Sequence, residues 1–124
     1  MQTKINWFEI PSSDFARAVK FYESLFDAKL KVEHFGASTI GVFTGPDGDG
    51  DGFGCVIKGE NYVPGGDGTV LYLDAGPSID AVIGRIETSG GQIKIGKTEL
   101  PQVMGFVAYF IDPEGNRLAL HAMA

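Results

Sequence analysis

Residues 39–48 read "TIGVFTGPDG" and residues 106–115 read "FVAYFIDPEG". Each is an apolar strand running into a proline-centred turn: Gly45-Pro46-Asp47-Gly48 in the first, Asp112-Pro113-Glu114-Gly115 in the second. Proline presets φ near −65° at the second turn position and glycine accepts a left-handed one, so both stretches read as hairpins. The likeness extends outward from them. "AKLKV" (28–32) and "GQIKI" (91–95) each follow a helical segment, and Phe15, Val19 and Tyr22 match Ile79, Ile83 and Ile86 at one fixed offset. Three matches in the same order make an internal repeat, and the repeat decides the architecture.

Each copy reads βαβββ. Residues 5–10 are aromatic and β-branched, as in a strand. Ser13 or Asp14 can cap the helix that follows, because a short side-chain oxygen takes an orphan amide of the first turn. Phe15, Ala18, Val19, Tyr22, Leu25 and Phe26 recur at helical spacing to about Asp27. "KLKVEHF", "STIGVF" and "FGCVIKG" are three further strands. In the second copy "TVLYLDA" is the first strand. The helix carries Ile79, Val82, Ile83 and Ile86 on one stripe and stops at Gly90-Gly91. "QIKIGKTEL", "GFVAYFI" and "NRLALHAM" complete it. The fold class is α+β: two βαβββ modules, about 1–60 and about 67–124, forming a cupped eight-stranded mixed sheet with helices outside. The concave face of such a sheet is where a ligand fits.

Bulk properties narrow the partners. The 124 residues make one domain, large enough for a proper core. A net charge of −6 without any basic cluster argues against nucleic acid, whose phosphates are bound by clustered Lys and Arg. The same balance disfavours an anionic membrane surface, and no apolar run is long enough to span a bilayer. The first residues have neither the apolar core of a signal peptide nor an Arg-rich amphipathic stretch. Cys55 is the single cysteine and cannot form an internal disulfide. A cytoplasmic location is the expectation. There is no phosphate loop, nucleophile elbow or paired-cysteine metal site.

"NWFEIPSSDFARAVKFYESLF" (6–26), the paired βαβββ units and "FIDPEGNRLALH" (110–121) together resemble the vicinal oxygen chelate superfamily over essentially the whole chain. That superfamily includes glyoxalase I, extradiol dioxygenases, bleomycin-resistance proteins and fosfomycin-resistance enzymes, and the resemblance looks closest to its small members related to lactoylglutathione lyase. In its enzymes, His and Glu side chains on the first and last strands of each unit hold a divalent metal. Carried over strand by strand, those positions fall on Trp7, Cys55, Leu71 and Ala119. None supplies a carboxylate or imidazole, and one thiolate is not a site. The resemblance therefore implies the fold without its metal: no cofactor is expected, and a divalent ion only if its ligands lie at displaced positions. Bleomycin-resistance proteins use the same cup to bind small molecules without metal.

Alternation puts Arg117, Ala119 and His121 on one face of the last strand, the face that lines the cup under this resemblance. A histidine side chain can take or give a proton near neutral pH, so His121 is either an acid, base or hydrogen-bonding group for a ligand or, more plainly, a solvated residue at a strand end. Glu9 shares the face of Trp7 and is either a general base or ligand anchor, or a structural carboxylate paired with a cation such as Arg117. Trp7 is a stacking platform or plain packing. Cys55, with no cation beside it except Lys58, reads as a small buried hydrophobe. "DGDGDG" (47–52) fits the first half of a calcium loop, but its twelfth position is Lys58 and no helices flank it, so a plain acidic loop is expected. Tyr62, Pro64 and Tyr109 either close the cup or pack at a subunit contact.

The expected function is small-molecule binding in a metal-free cup contributed by Trp7, Cys55, Leu71, Arg117 and Ala119. The alternative is a glyoxalase-like lyase or isomerase in which Glu9 and His121 are the acid–base pair. A homodimer is expected from the habit of the superfamily and the frequency of two-fold assemblies.

Overall fold

A computed structural model describes residues 3–45 and 51–124. Its elements are β1 (Glu9–Pro11), α1 (Phe15–Phe26), β2 (Lys31–Phe35), β3 (Ser38–Phe43), β4 (Gly54–Lys58), β5 (Leu71–Asp74), α2 (Ile79–Thr88), β6 (Gln92–Glu99), β7 (Phe106–Ile111) and β8 (Arg117–Ala122). The repeat is real: each half is βαβββ. The eight strands form two four-stranded mixed sheets, ordered β1-β4-β3-β2 and β5-β8-β7-β6. In each, the first strand runs parallel to the last and the remaining pairs are antiparallel. The sheets are joined by packing rather than by a ladder between β1 and β5.

The first strand begins at Glu9, later than the composition of residues 5–10 suggests. Its sole neighbour is β4, which starts at Gly54, and the last link is the Cys55 amide donating to the Phe8 carbonyl (3.0 Å). Among the described residues no strand pairs with Ile5 or Trp7, and both are exposed. Asp14 is the N-cap of α1, its Oδ1 accepting from the Arg17 amide at 3.1 Å.

One core serves both modules. Ile10, Phe43 and Val56 from the first sheet and Leu73, Phe110, Leu118 and Leu120 from the second turn toward α1 and α2. The apolar stripes behave as their spacing requires, with Ala18, Tyr22, Leu25, Ile79, Val82 and Ile86 buried. Phe21, outside the stripe read from the sequence, is also buried. It meets Tyr22 edge-on at 4.8 Å and reaches Phe110 of the other module at 6.1 Å.

The turn between β7 and β8 fastens the modules together. Gly115 takes φ +94° and its amide donates to the Asp112 carbonyl, as the Asp-Pro-Glu-Gly reading requires. The Asp112 carboxylate accepts four hydrogen bonds: from the amides of Glu114 and Asn116, from Asn116 Nδ2, and from the Tyr22 hydroxyl of α1 at 2.7 Å. Glu114 reaches over the start of α1, accepting from the amides of Ser13 and Asp14 and from Arg17 Nε. A carboxylate at a helix N-terminus is favoured by both the orphan amides and the dipole. Asn116 completes the joint, donating to the Pro11 carbonyl and accepting from the Gly65 amide.

Candidate functional site

Each sheet has one face against the helices and one turned away, and strand alternation assigns the residues. On the first sheet the far face carries Val42, Cys55 and Ile57, packed beneath Ile40 and Tyr62. Tyr62 comes from the connection between modules and covers this face. Burial, with the Glu9 charge next, pushes the Cys55 thiol up to about 12. It stays protonated and unreactive at neutral pH, the small-hydrophobe reading. The Glu9 carboxylate also raises the Tyr62 phenol, ahead of burial.

The second sheet keeps its far face open. Its rows follow from the ladders: Tyr72, Ala119 and Tyr109 stand side by side, and Asp74, His121 and Val107 form the next row. A cavity of about 440 Å³ lies over these rows, walled by Tyr72, Asp74, Leu100, Met104, Tyr109 and His121. Ala119, between the two tyrosines in its row, is fully buried. The Tyr72 and Tyr109 hydroxyls are 2.5 Å apart.

The β6–β7 connection forms one wall. His121 Nε2 lies 2.7 Å from the Met104 carbonyl. A carbonyl only accepts, so Nε2 carries the proton and Nδ1 is left for other work. The connection fits tightly: Gly105 has φ +93°, and a Cβ there would lie 2.4 Å from the Ala122 carbonyl oxygen and 3.1 Å from His121 Nε2. Gln102 and Val103 also take positive φ, a costly conformation for a β-branched residue.

A second cavity, about 220 Å³, sits at the seam between modules. Glu9 and Pro11 line it from one side, Leu71, Asn116 and Arg117 from the other. Arg117 donates to the Gly68 carbonyl at 3.4 Å, a long contact. The sequence reading therefore divides. Glu9, Leu71 and Arg117 meet at the seam, Ala119 and His121 stand at the open face, Cys55 is sealed under Tyr62, and Trp7 is half-exposed ahead of β1.

Leu71 needs a correction of register. It packs against the shared core beside its ladder partner Leu118, while Tyr72 and Asp74 face outward. Glu9 pairs with Cys55 as Tyr72 pairs with Ala119, so Glu9 is the counterpart of Tyr72, and Trp7 that of Val70. Tyr72 and Asp74 are the residues the sequence reading missed. The alternation Leu71-Tyr72-Leu73-Asp74 held the signal.

Carried onto this register, the resemblance puts the family's metal positions at Trp7, Cys55, Val70 and Ala119. An indole, a thiol held protonated, an isopropyl group and a methyl do not fit a divalent cation. Among the described residues, no three His, Cys, Asp or Glu side chains are grouped to hold an ion at displaced positions either. Asp47 and Asp49 of the acidic loop lie outside the described residues.

A family model described as the Glyoxalase/Bleomycin resistance protein/Dioxygenase superfamily matches residues 4–120. The chain belongs to that superfamily. Solved structures of the superfamily's fold agree. The fosfomycin resistance protein FosX from Listeria monocytogenes matches with TM-score 0.71 at 20% identity, covering 98% of this chain and 92% of that one. A glyoxalase/bleomycin resistance protein from Albidiferax ferrireducens T118 matches with TM-score 0.65 at 17% identity, covering 93% and 94%. A glyoxalase I mutant from Zea mays matches with TM-score 0.62 at 22% identity; this chain covers 45% of it and is itself covered to 94%. At these identities the likeness is one of fold. No curated protein matches the sequence. No helix of the described residues is long and apolar enough to cross a membrane.

Proposed function

We propose that this superfamily member is a metal-independent small-molecule-binding protein whose ligand lies on the open face of the second module. One observation carries the reading. Ala119 stands where the resemblance implies a metal-binding carboxylate, and the two tyrosines that flank it in the sheet, with Leu100 and Met104, wall a cavity. Mostly apolar walls with a few convergent polar groups are what a small-molecule pocket needs. One FosX structure is a complex with Mn(II) and dihydroxypropylphosphonic acid; the corresponding positions here offer an ion no carboxylate or imidazole.

The lyase or isomerase reading needs Glu9 and His121 to act on one substrate. They line separate cavities, and His121 commits Nε2 to the Met104 carbonyl. That leaves the binding reading the better supported. A homodimer in the cytosol belongs to the same proposal, because Trp7, Tyr72 and Met104 expose apolar surface that a second copy would cover.

Native mass spectrometry of freshly isolated, untagged protein tests this. The expected spectrum shows a dimer carrying an organic adduct and no metal. A stoichiometric metal with no organic adduct would reverse the assignment.

A further inference from the structure

The two tyrosines flanking Ala119 are more than cavity wall. Their rings meet at 77° with centroids 5.8 Å apart, and their hydroxyls meet across the row that holds Ala119. Tyr72 is 48% exposed, so either hydroxyl could be satisfied by water, and the pair is not needed to rescue a buried polar group. Two hydroxyls have two protons, and the bond between them uses one. The other O–H remains as a donor, strengthened because its oxygen already accepts a bond. The bond to Tyr109, with burial second, raises the Tyr72 phenol, while the Arg117 charge acts the other way. Tyr72 stays protonated at neutral pH.

We propose that the Tyr72–Tyr109 hydroxyl pair is the polar anchor of the cavity, donating one hydrogen bond to the carbonyl oxygen of a neutral, largely apolar small molecule. The inference rests on the binding function proposed above and names its ligand class. Leu100, Met104 and Val107 offer the ligand body apolar surface. Charge selects against an anion. Asp74 lines the same cavity, with Oδ1 held by the Gly76 amide at 2.9 Å, whereas Arg117 lines the seam cavity.

The test titrates ¹⁵N-labelled full-length protein with acetophenone, ethylbenzene and benzoate, followed by amide shifts. Acetophenone is expected to move the amides of Tyr72, Tyr109 and Ala119 and to bind about five- to tenfold more tightly than ethylbenzene, the yield of one hydrogen bond. In Tyr72→Phe/Tyr109→Phe the two are expected to bind alike. Tyr109→Phe alone serves if the double variant misfolds. Equal binding of both to the wild type, or a preference that survives loss of the hydroxyls, overturns the anchor but leaves the binding function standing. Tightest binding of benzoate overturns the neutral class. If none of the three moves an amide of the second sheet, the anchor and the binding function fall together.

Discussion

Asp112→Ala is expected to cost about 4 kcal/mol or more of unfolding free energy, the largest effect of any single change at the joint between modules. Asp112 is buried and its carboxylate accepts four hydrogen bonds. Bonds to a charged acceptor contribute roughly 1.5–3 kcal/mol each, and some of the released donors will find water. The Tyr22 hydroxyl will not, because Tyr22 is among the most buried side chains of the core. Against the 5–15 kcal/mol typical of a domain, such a loss leaves little. Tyr22→Phe removes one of the four bonds and should cost about 1–2 kcal/mol. Urea denaturation of the two variants checks the ranking. A midpoint for Asp112→Ala within error of wild type would show that the turn does not hold the modules.

The second large effect is a dependence of stability on acid. Burial alone would raise the Glu114 carboxyl, but the Arg17 guanidinium, the Asp14 and Ser13 amides and the Ser13 hydroxyl outweigh it and hold it at about 2, below the usual 4.5. The Glu114 side chain is buried but its Arg17 partner is half exposed, so solvent screening reduces the roughly 3 kcal/mol equivalent of the full shift to about 1–2 kcal/mol. The folded-state value is depressed. The contribution is therefore complete above about pH 4.5 and disappears as the pH falls toward about 2. Glu114→Gln should be less stable than wild type by about 1–2 kcal/mol at pH 7, and the gap should narrow by pH 3. A gap that stays constant from pH 7 to pH 3 would mean that the carboxylate charge is not what joins the turn to α1.

Much of the fold was legible because it is written twice. Phe15, Val19 and Tyr22 against Ile79, Ile83 and Ile86 revealed both helices, and the Asp112-Pro113-Glu114-Gly115 turn announced its hairpin. What escaped depends on partners distant in sequence. β1 starts at Glu9 because β4 starts at Gly54, a tertiary fact that composition does not hold. Phe21 is buried because α1 meets the other module's Phe110, so its apolar face is wider than one stripe. The Asp112-Glu114-Asn116 joint was read only as a turn, since nothing local says that its side chains reach α1 and Pro11.

The site was legible in half. Alternation alone puts Ala119 and His121 on one face of β8, and the ladders agree, pairing Ala119 with Tyr72 and His121 with Asp74. Leu71 was taken for an outward residue where Tyr72 and Asp74 are. A one-residue slip in a short strand exchanges the two faces completely. That slip concealed the tyrosine pair flanking Ala119.

Metal independence is tested most directly by thermal melting of untagged protein, stripped with EDTA and then supplied with zinc, nickel or manganese. An ion held at a native site and present at 100 times its Kd would add about 2.7 kcal/mol, a rise in Tm of several degrees for a chain of this length. The predicted result is a melting temperature that none of the three ions raises. A rise of several degrees that saturates at one ion per chain would contradict it.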